Sequence, residues 1–129
     1  MINAVFLFVY GTLLEDGNKF AAYLKVNSRF YSHGKLKGKL YNIGEYPGAV
    51  ITEGGNYIYG SILQLNNSEK TLSVLDDYEG FGDDQPQPNE FMRILAEVEA
   101  DTVTLTCWVY VYNWPITGLP QITSGNYLY

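Results

Sequence analysis

The chain has 129 residues, of which 47% are hydrophobic and 17% charged, a composition typical of a soluble globular protein and not of a disordered one. We therefore expect a single domain over residues 1–129. The formal net charge of −6 would repel a phosphate backbone, which argues against nucleic acid as a partner.

Cysteine and histidine each occur only once, which limits the chemistry of the chain. A lone Cys107 excludes an internal disulfide and fits a reducing compartment. The first apolar run, residues 4–9, is too short for a signal sequence or a membrane span, so we predict a cytoplasmic protein without a membrane partner. Since zinc sites draw on several His and Cys side chains, we expect no metal, and catalysis would fall to carboxylate, hydroxyl and backbone groups.

The first part of the chain predicts a buried strand, a glycine turn and a short helix. Residues 4–9 form a continuous apolar run, typical of a strand buried on both faces. Gly11 follows closely and lets the backbone either turn sharply or approach a ligand, and the sequence leaves both roles open. Asn18 is a candidate cap for a helix that ends near Lys25.

Strand patterns occupy the next part of the chain. Residues 29–43 alternate loosely around two glycines and predict one bent strand or two short ones. Residues 44–48 predict a turn, because Pro47-Gly48 suits the middle of a type II turn. Residues 57–65 then alternate regularly, which predicts a further strand.

A strong helix pattern follows residue 65. Asn66, with Glu69 three residues later, resembles a capping box, and apolar residues then recur at helical spacing up to residue 78. Gly80 stands where a glycine in the left-handed conformation commonly ends a helix. The sequence therefore predicts one main helix that ends at Gly80.

Three carboxylates crowd the C-terminal end of this predicted helix, namely Asp76, Asp77 and Glu79. Like charges and the negative end of the helix dipole both raise the pKa of a carboxyl group, and burial would raise it further. A glutamate with a pKa raised toward about 6–7 suits a general base near neutral pH. On this pattern alone, a solvated helix end without catalytic function is the commoner outcome, and we expect Asp76 and Asp77 to be of that kind.

The last third of the chain predicts a loop and a hairpin. Residues 81–89 are rich in proline, glycine and polar side chains, typical of a mobile loop. Residues 91–99 and 103–112 predict two paired strands, with Cys107 in an aliphatic row of the core. Strands before and after one main helix predict an α+β domain with a small, largely antiparallel, curled sheet.

Several short motifs, spread along nearly the whole chain, together form a recognisable set. They are Val9-Tyr10-Gly11-Thr12-Leu13, Tyr46-Pro47-Gly48, Tyr59-Gly60, Leu75-Asp76-Asp77-Tyr78-Glu79-Gly80, Arg93, Trp108-Val109-Tyr110-Val111-Tyr112 and Ser124-Gly125-Asn126. In these motifs and their order, the chain resembles the gamma-glutamylcyclotransferase-like family, in particular its gamma-glutamylamine cyclotransferase-like branch. The first motif is weak by itself, and the correctly spaced set is specific.

This resemblance implies a small, mostly antiparallel six-stranded barrel-like sheet with flanking helices. It implies Glu79 as the catalytic acid/base, without metal or cofactor. It also implies a substrate pocket formed by Tyr10, Gly11, Thr12, Leu13 and Tyr112. The backbone N–H groups of residues 11–13 would hold either the substrate carboxylate or the developing oxyanion, and the sequence leaves that choice open.

The implied partner is a small gamma-glutamyl compound. Its alpha-amino nitrogen would attack the side-chain carbonyl, close a five-membered ring and release 5-oxoproline with an amine or amino acid, an intramolecular aminolysis of acyltransferase or lyase type. The chain departs from the family at Phe91, where a tyrosine is expected, and in the long acidic loop at residues 83–89. The alternatives are a binding module that keeps the pocket without turnover and an assembly protein that uses a tyrosine-rich surface.

Overall fold

The structure, a computed structural model, describes residues 5–11, 19–44 and 46–127. The elements in these ranges are β1 (Phe6–Val9), α1 (Lys19–Val26), β2 (Ser28–Asn42), β3 (Pro47–Ile51), β4 (Tyr57–Leu65), α2 (Ser68–Glu79), β5 (Phe91–Glu99), β6 (Thr104–Tyr112) and β7 (Gln121–Ile122). The predicted helix cap Asn18 and the predicted pocket residues Thr12 and Leu13 lie outside the described residues.

Six strands form a curled, mostly antiparallel sheet in the order β3-β2-β4-β1-β6-β5. β1 runs parallel to β6, and the other pairings are antiparallel. β2 also pairs with β5 through Lys35 and Glu99, which closes the sheet into a barrel. The predicted six-stranded barrel-like sheet with flanking helices is confirmed, and β7 adds a short strand beside β2.

The 15-residue strand β2 is the longest element of the sheet. Its first part pairs with β4 and its last part pairs with β3. The register shifts between Phe30 and Ser32, as a β-bulge does, and bulges bend a strand. Of the two alternatives for residues 29–43, the single bent strand is therefore the one that forms.

The predicted type II turn at Pro47-Gly48 is wrong, because both residues begin β3 and pair with the end of β2. Proline is tolerated as the first residue of a strand, where its missing N–H is not needed. The turn lies just before it, where the N–H of Ile43 donates to the carbonyl oxygen of Tyr46 at 3.0 Å. As a result, Pro47 is a fixed part of the sheet.

The buried side chains form two clusters on opposite faces of β1. Phe8 packs into the cluster inside the sheet, whereas Leu7 packs into the cluster beneath the helices. This confirms the prediction that the first strand is buried on both faces. Cys107 lies fully buried in the inner cluster, as its aliphatic row predicted.

The helix α2 begins one residue later than predicted, since its N-cap is Asn67 and not Asn66. Asn67 has a left-handed φ of 44° and makes no side-chain capping bond. Instead, the hydroxyl of Thr71 donates to the backbone carbonyl oxygen of Asn66 at 2.9 Å. Buried Leu72 and Leu75 fix the helix on the second cluster. Neither helix of the described ranges is long and apolar enough to cross a membrane.

Candidate active site

The C-terminal end of α2 places Glu79 at the last helical position. Gly80 adopts a left-handed conformation with a φ of 72°, as predicted. The N–H of Phe81 donates to the carbonyl oxygen of Asp76 at 2.9 Å, and the N–H of Gly80 donates to that of Asp77 at 3.3 Å. This pair of bonds is the Schellman motif, which ends the helix sharply at Glu79.

A cavity of about 220 Å³ opens beside this helix end. The elements around it are the end of β1, the start of β3, the end of α2, the start of β5 and strand β6. The described residues that line it are Phe8, Val9, Tyr10, Gly11, Tyr46, Pro47, Tyr78, Glu79, Glu90, Phe91 and Tyr110. The structure thus brings Glu79 together with Tyr10 and Gly11, the described part of the predicted substrate loop.

Gly11 lies in the wall of this cavity, tightly packed on Pro47. A β-carbon at Gly11 would lie 2.7 Å from the Cγ atom of Pro47, closer than side chains tolerate. Glycine is therefore required at position 11, where the backbone lies against Pro47 at the start of β3. The position of Pro47 in the strand, which the sequence did not predict, places its ring against Gly11.

Tyr10 joins the cavity wall as a neutral side chain. Its hydroxyl donates a short hydrogen bond to the backbone carbonyl oxygen of Tyr110 and accepts one from the N–H of Ala49 at 3.3 Å. Burial and, next, the negative charge of Glu79 raise the pKa of Tyr10 above its ordinary value. Because its hydroxyl is bonded to two backbone groups, Tyr10 has a structural role and does not act as a general base.

The carboxyl group of Glu79 titrates near neutral pH. Burial, and to a smaller extent the negative charge of Glu90, together raise the pKa of Glu79 to about 7. None of the described residues that line the cavity is a lysine or arginine that would oppose this effect. At neutral pH, Glu79 therefore exists in both protonation states, as a group that accepts and returns protons must.

Glu90 is a second carboxylate in the cavity, and no sequence pattern predicted it. The hydroxyl of Tyr46 donates to Oε2 of Glu90 at 2.5 Å. The N–H of Asn113 donates to the backbone carbonyl oxygen of Glu90 at 2.7 Å, which fixes the residue at the start of β5. Its only sequence signal is a single charge directly before an apolar strand, a pattern too common to indicate a site.

The loop that carries Glu90 is held by one buried side chain, although the sequence predicted a mobile loop. The amide oxygen of Asn89 accepts a hydrogen bond from the N–H of Gly82 at 3.1 Å. Its amide nitrogen donates to the carbonyl oxygens of Gly82 and Pro86, both at 3.1 Å. Asn89 therefore shapes the edge of the cavity from within the loop.

Asp76 differs from what the sequence predicted for a helix-end carboxylate. Arg93 donates to it through Nε at 2.7 Å and Nη2 at 3.1 Å, and the hydroxyl of Tyr110 donates to Oδ1 at 2.7 Å. The guanidinium group of Arg93 also lies 4.3 Å from the ring centroid of Trp108. Asp76 thus fastens α2 to β5 and β6, whereas Asp77 is exposed, as expected.

Tyr112 and Phe91 face each other across β5 and β6, with ring centroids 5.6 Å apart. Phe91 is buried and lines the cavity, and its ring also packs against Tyr46 at 5.7 Å. Tyr112 is not among the described residues that line the cavity. Its role in substrate binding, like those of Thr12 and Leu13, stays a prediction.

Comparison with known proteins identifies the class of protein that carries this fold and site. The profile of the family described as "Gamma-glutamyl cyclotransferase, AIG2-like" matches residues 7–129. The chain therefore belongs to the gamma-glutamyl cyclotransferase, AIG2-like family. This membership supports a cyclotransferase-type function.

Individual relatives agree with this assignment. The gamma-glutamylcyclotransferase family protein YtfP of Escherichia coli (strain K12) is 31% identical over 129 residues, which cover 95% of this chain and 95% of that protein. Its solution structure has a TM-score of 0.67 at 29% identity and covers 96% of both chains. The fold of this chain is thus that of YtfP over nearly its full length.

Two further proteins extend the comparison. The gamma-L-glutamyl-butirosin B gamma-glutamyl cyclotransferase of Niallia circulans is 32% identical over 108 residues, which cover 83% of this chain and 66% of that enzyme. The crystal structure of YkqA from Bacillus subtilis has a TM-score of 0.71 at 24% identity, a likeness that shows the fold alone. This chain covers 40% of YkqA, and 97% of this chain is matched.

Proposed function

We propose that this protein is a gamma-glutamyl cyclotransferase that converts a gamma-glutamyl amide into 5-oxoproline and an amine or amino acid, with Glu79 as general acid/base. The observation that carries the proposal is that the carboxyl group of Glu79 has a pKa of about 7 and lines a small cavity. Support also comes from the family and from the name of the Niallia circulans relative.

The proposed reaction begins with the alpha-ammonium group of the substrate. The carboxylate of Glu79 takes a proton from this group, and the freed nitrogen lone pair attacks the side-chain carbonyl carbon to form the ring bond. The tetrahedral intermediate then collapses as the bond to the leaving nitrogen breaks. Glu79 delivers its proton to that nitrogen, and its carboxylate then takes the second proton from the ring nitrogen and passes it to the released amine, so the atoms balance without water as a reactant.

Positioning supplies a large share of the rate in this proposal. Nucleophile and carbonyl belong to one molecule, and holding them in a reactive geometry is worth roughly 7–11 kcal/mol. A cavity of about 220 Å³ suits a folded gamma-glutamyl group. Since the substrate supplies its own nucleophile, the enzyme needs no activated serine or cysteine, in accord with the buried and unreactive position of Cys107.

The loop that begins at Gly11 is the proposed anion-binding element. Gly11 lines the cavity, and its N–H group and those of the next two residues would hold either the substrate carboxylate or the oxyanion of the intermediate. A correctly placed oxyanion donor typically contributes about 3–4 kcal/mol to the rate. Tyr10, which directly precedes this loop, is fixed by its bonds to the backbone groups of Tyr110 and Ala49.

The test is release of 5-oxoproline from a panel of gamma-glutamyl amines and gamma-glutamyl dipeptides. We expect turnover of at least one of them by the wild type and a loss of about 10²–10⁴-fold in Glu79→Gln, the range for one general acid/base. Asp77→Asn is the matched control, because it removes an exposed carboxylate from the same helix end and should keep full activity.

Two outcomes would contradict the proposal. Full activity of Glu79→Gln would remove the proposed acid/base from the mechanism. Stabilisation of the wild type against heat by 5-oxoproline, without turnover of any amide in the panel, would instead indicate a binding module that has the same cavity.

A further inference from the structure

The charges in the cavity are of one sign. Among the described residues that line it, Glu79 and Glu90 are the charged side chains, and both are acidic. A second negative charge on a ligand would therefore meet repulsion here, whereas a second positive charge would be attracted.

Arg93 does not supply a positive charge to the described part of the cavity. Arg93 donates two hydrogen bonds to Asp76 at 2.7 and 3.1 Å and is not among the described residues that line the cavity. A bidentate pair of this kind holds the guanidinium group in one orientation. The carboxylate of a leaving amino acid consequently has no cationic side chain to bind within the described part of the cavity.

Glu90 is held in place with one of its carboxylate oxygens still available. Among the described residues, the bond from the Tyr46 hydroxyl to Oε2 is the one hydrogen bond to this carboxylate. Asn113 fixes the backbone of Glu90 at the start of β5, and Asn89 fixes the loop before it. Oε1 is thus presented by an ordered carboxylate, which is what a cation-binding group requires.

The proposed reaction uses only one of the two carboxylates. Glu79 receives the alpha-ammonium proton and returns it to the leaving nitrogen, so that group cannot also hold a second cation throughout the reaction. Glu90 stands on a different element, at the start of β5, and has no assigned step. It is therefore the group left to bind the part of the substrate that departs.

We propose that Glu90 selects the leaving group, favouring gamma-glutamyl amides whose leaving amine carries a second positively charged group over those that release an amino acid. This inference rests on the proposed function and gives it a substrate class. Tyr46 is the positioning residue in this arrangement, since it holds the Glu90 carboxylate and does not itself carry charge. Burial first, and then the hydrogen bond and charge of Glu90, raise the pKa of Tyr46 above its ordinary value, so its phenol stays neutral.

The experiment compares three amides of equal length that differ in the charge of the leaving group. They are the gamma-glutamyl amides of 1,4-diaminobutane, butylamine and 4-aminobutanoic acid, which carry a positive, neutral and negative distal end. We expect the wild type to favour the first over the second by about tenfold in kcat/KM, a modest effect for a charge pair in a part-buried site. The third should be the poorest substrate.

Variants locate the cause of this preference. Glu90→Gln should reduce the preference for the positive over the neutral amide to about twofold or less, while the butylamide still reacts. Asp83→Asn is the matched control: it removes the same charge from an exposed position in the same loop and should keep the wild-type preference. Tyr46→Phe keeps the Glu90 charge and should retain part of the preference.

Each outcome separates the inference from the proposed function. Similar rates on all three amides, or an unchanged preference in Glu90→Gln, would overturn the inference and leave the cyclotransferase proposal intact. Absence of turnover would contradict the proposed function, and calorimetric binding of the same three amides to Glu79→Gln then tests the charge selection by itself. Equal affinities, or no binding, would overturn the selection as well.

Discussion

Asp76 and Glu79 are carboxylates three residues apart at one helix end, and their surroundings are opposite. Asp76 receives two hydrogen bonds from Arg93 and one from Tyr110. Glu79 faces a cavity whose other charged side chain, within the described residues, is the acidic Glu90. One carboxylate fastens the helix to the sheet, and the other is the group for which we propose proton exchange.

Residue type and helix position therefore do not by themselves decide the role of a charged side chain. Both side chains share the unfavourable dipole at the end of α2. What separates them is a strand partner, since Arg93 on β5 reaches Asp76 and not Glu79. A site that keeps an ionisable group buried without a counter-charge sacrifices stability for function, and the paired Asp76 offsets part of that cost.

The largest expected effect on stability concerns Asp76. Asp76→Asn should lower the free energy of unfolding by about 3 kcal/mol, because it leaves the part-buried Arg93 guanidinium without its counter-charge. Urea unfolding at pH 7 measures this value. Asp77→Asn, at an exposed position, should stay within about 0.5 kcal/mol of the wild type. Equal losses of unfolding free energy in the two variants would contradict the prediction that the bonds between Asp76 and Arg93 stabilise the fold.

The pH dependence of stability tests the other side of the comparison. The pKa of Glu79 is raised from 4.5 to about 7 in the folded state, so between these values the folded state binds more protons than the unfolded one. The free energy of unfolding should therefore fall as the pH rises from about 4.5 to 7, by about 2 kcal/mol given that water reaches part of the side chain.

Comparing the wild type with Glu79→Gln isolates this contribution from those of the other carboxylates. The variant should be the more stable protein at pH 8 and should lose that advantage near pH 4.5, as measured by urea unfolding at both values. A stability difference that does not change with pH would mean that Glu79 titrates alike in the folded and unfolded states.

A smaller effect is expected from the hydroxyl of Tyr110. Tyr110→Phe removes the 2.7 Å bond to Asp76 but keeps the ion pair with Arg93, so the loss should be about 1 kcal/mol, the usual net worth of one hydrogen bond. Chemical unfolding measures it. Tyr31→Phe, at an exposed ring, is the control, and a larger loss in the control would contradict the assignment.

The smallest expected effect is a shift in the pH profile of catalysis. With the neutral butylamide as substrate, kcat/KM should rise with pH through a midpoint near 7, as Glu79 loses its proton. Glu90→Gln should lower that midpoint, because the charge of Glu90 is the second cause of the raised pKa. The midpoint should remain above 4.5, since burial is the larger cause. A midpoint that rises in the variant would contradict this account.

Local patterns predicted the parts of the fold that local contacts determine. The alternation of residues 57–65 and the β5–β6 hairpin came from side-chain period, and Gly80 came from the conformational freedom that a helix end requires. Glu79 was identified by its unfavourable position and by resemblance to a family. These signals lie within a few residues of the feature that they predict.

The missed features depend on contacts between distant parts of the chain. Asp76 looks like any helix-end carboxylate until Arg93 and Tyr110, 17 and 34 residues away, are placed beside it. Glu90 has no local pattern, because its role follows from the cavity that it faces. Pro47 was assigned to a turn, since its pairing with β2 is decided by register and not by turn preference.

The ion pair between Asp76 and Arg93 spans the loop that joins α2 to β5. Both ends of the segment that carries this loop are therefore anchored, and surface loops commonly tolerate changes in length and composition. In the proposed mechanism, the residue that acts on the bond and the residue that selects the departing group lie on different elements, Glu79 at the end of α2 and Glu90 directly before β5. Under that mechanism, substitutions in the loop would change the choice of substrate and leave Glu79 at its helix end.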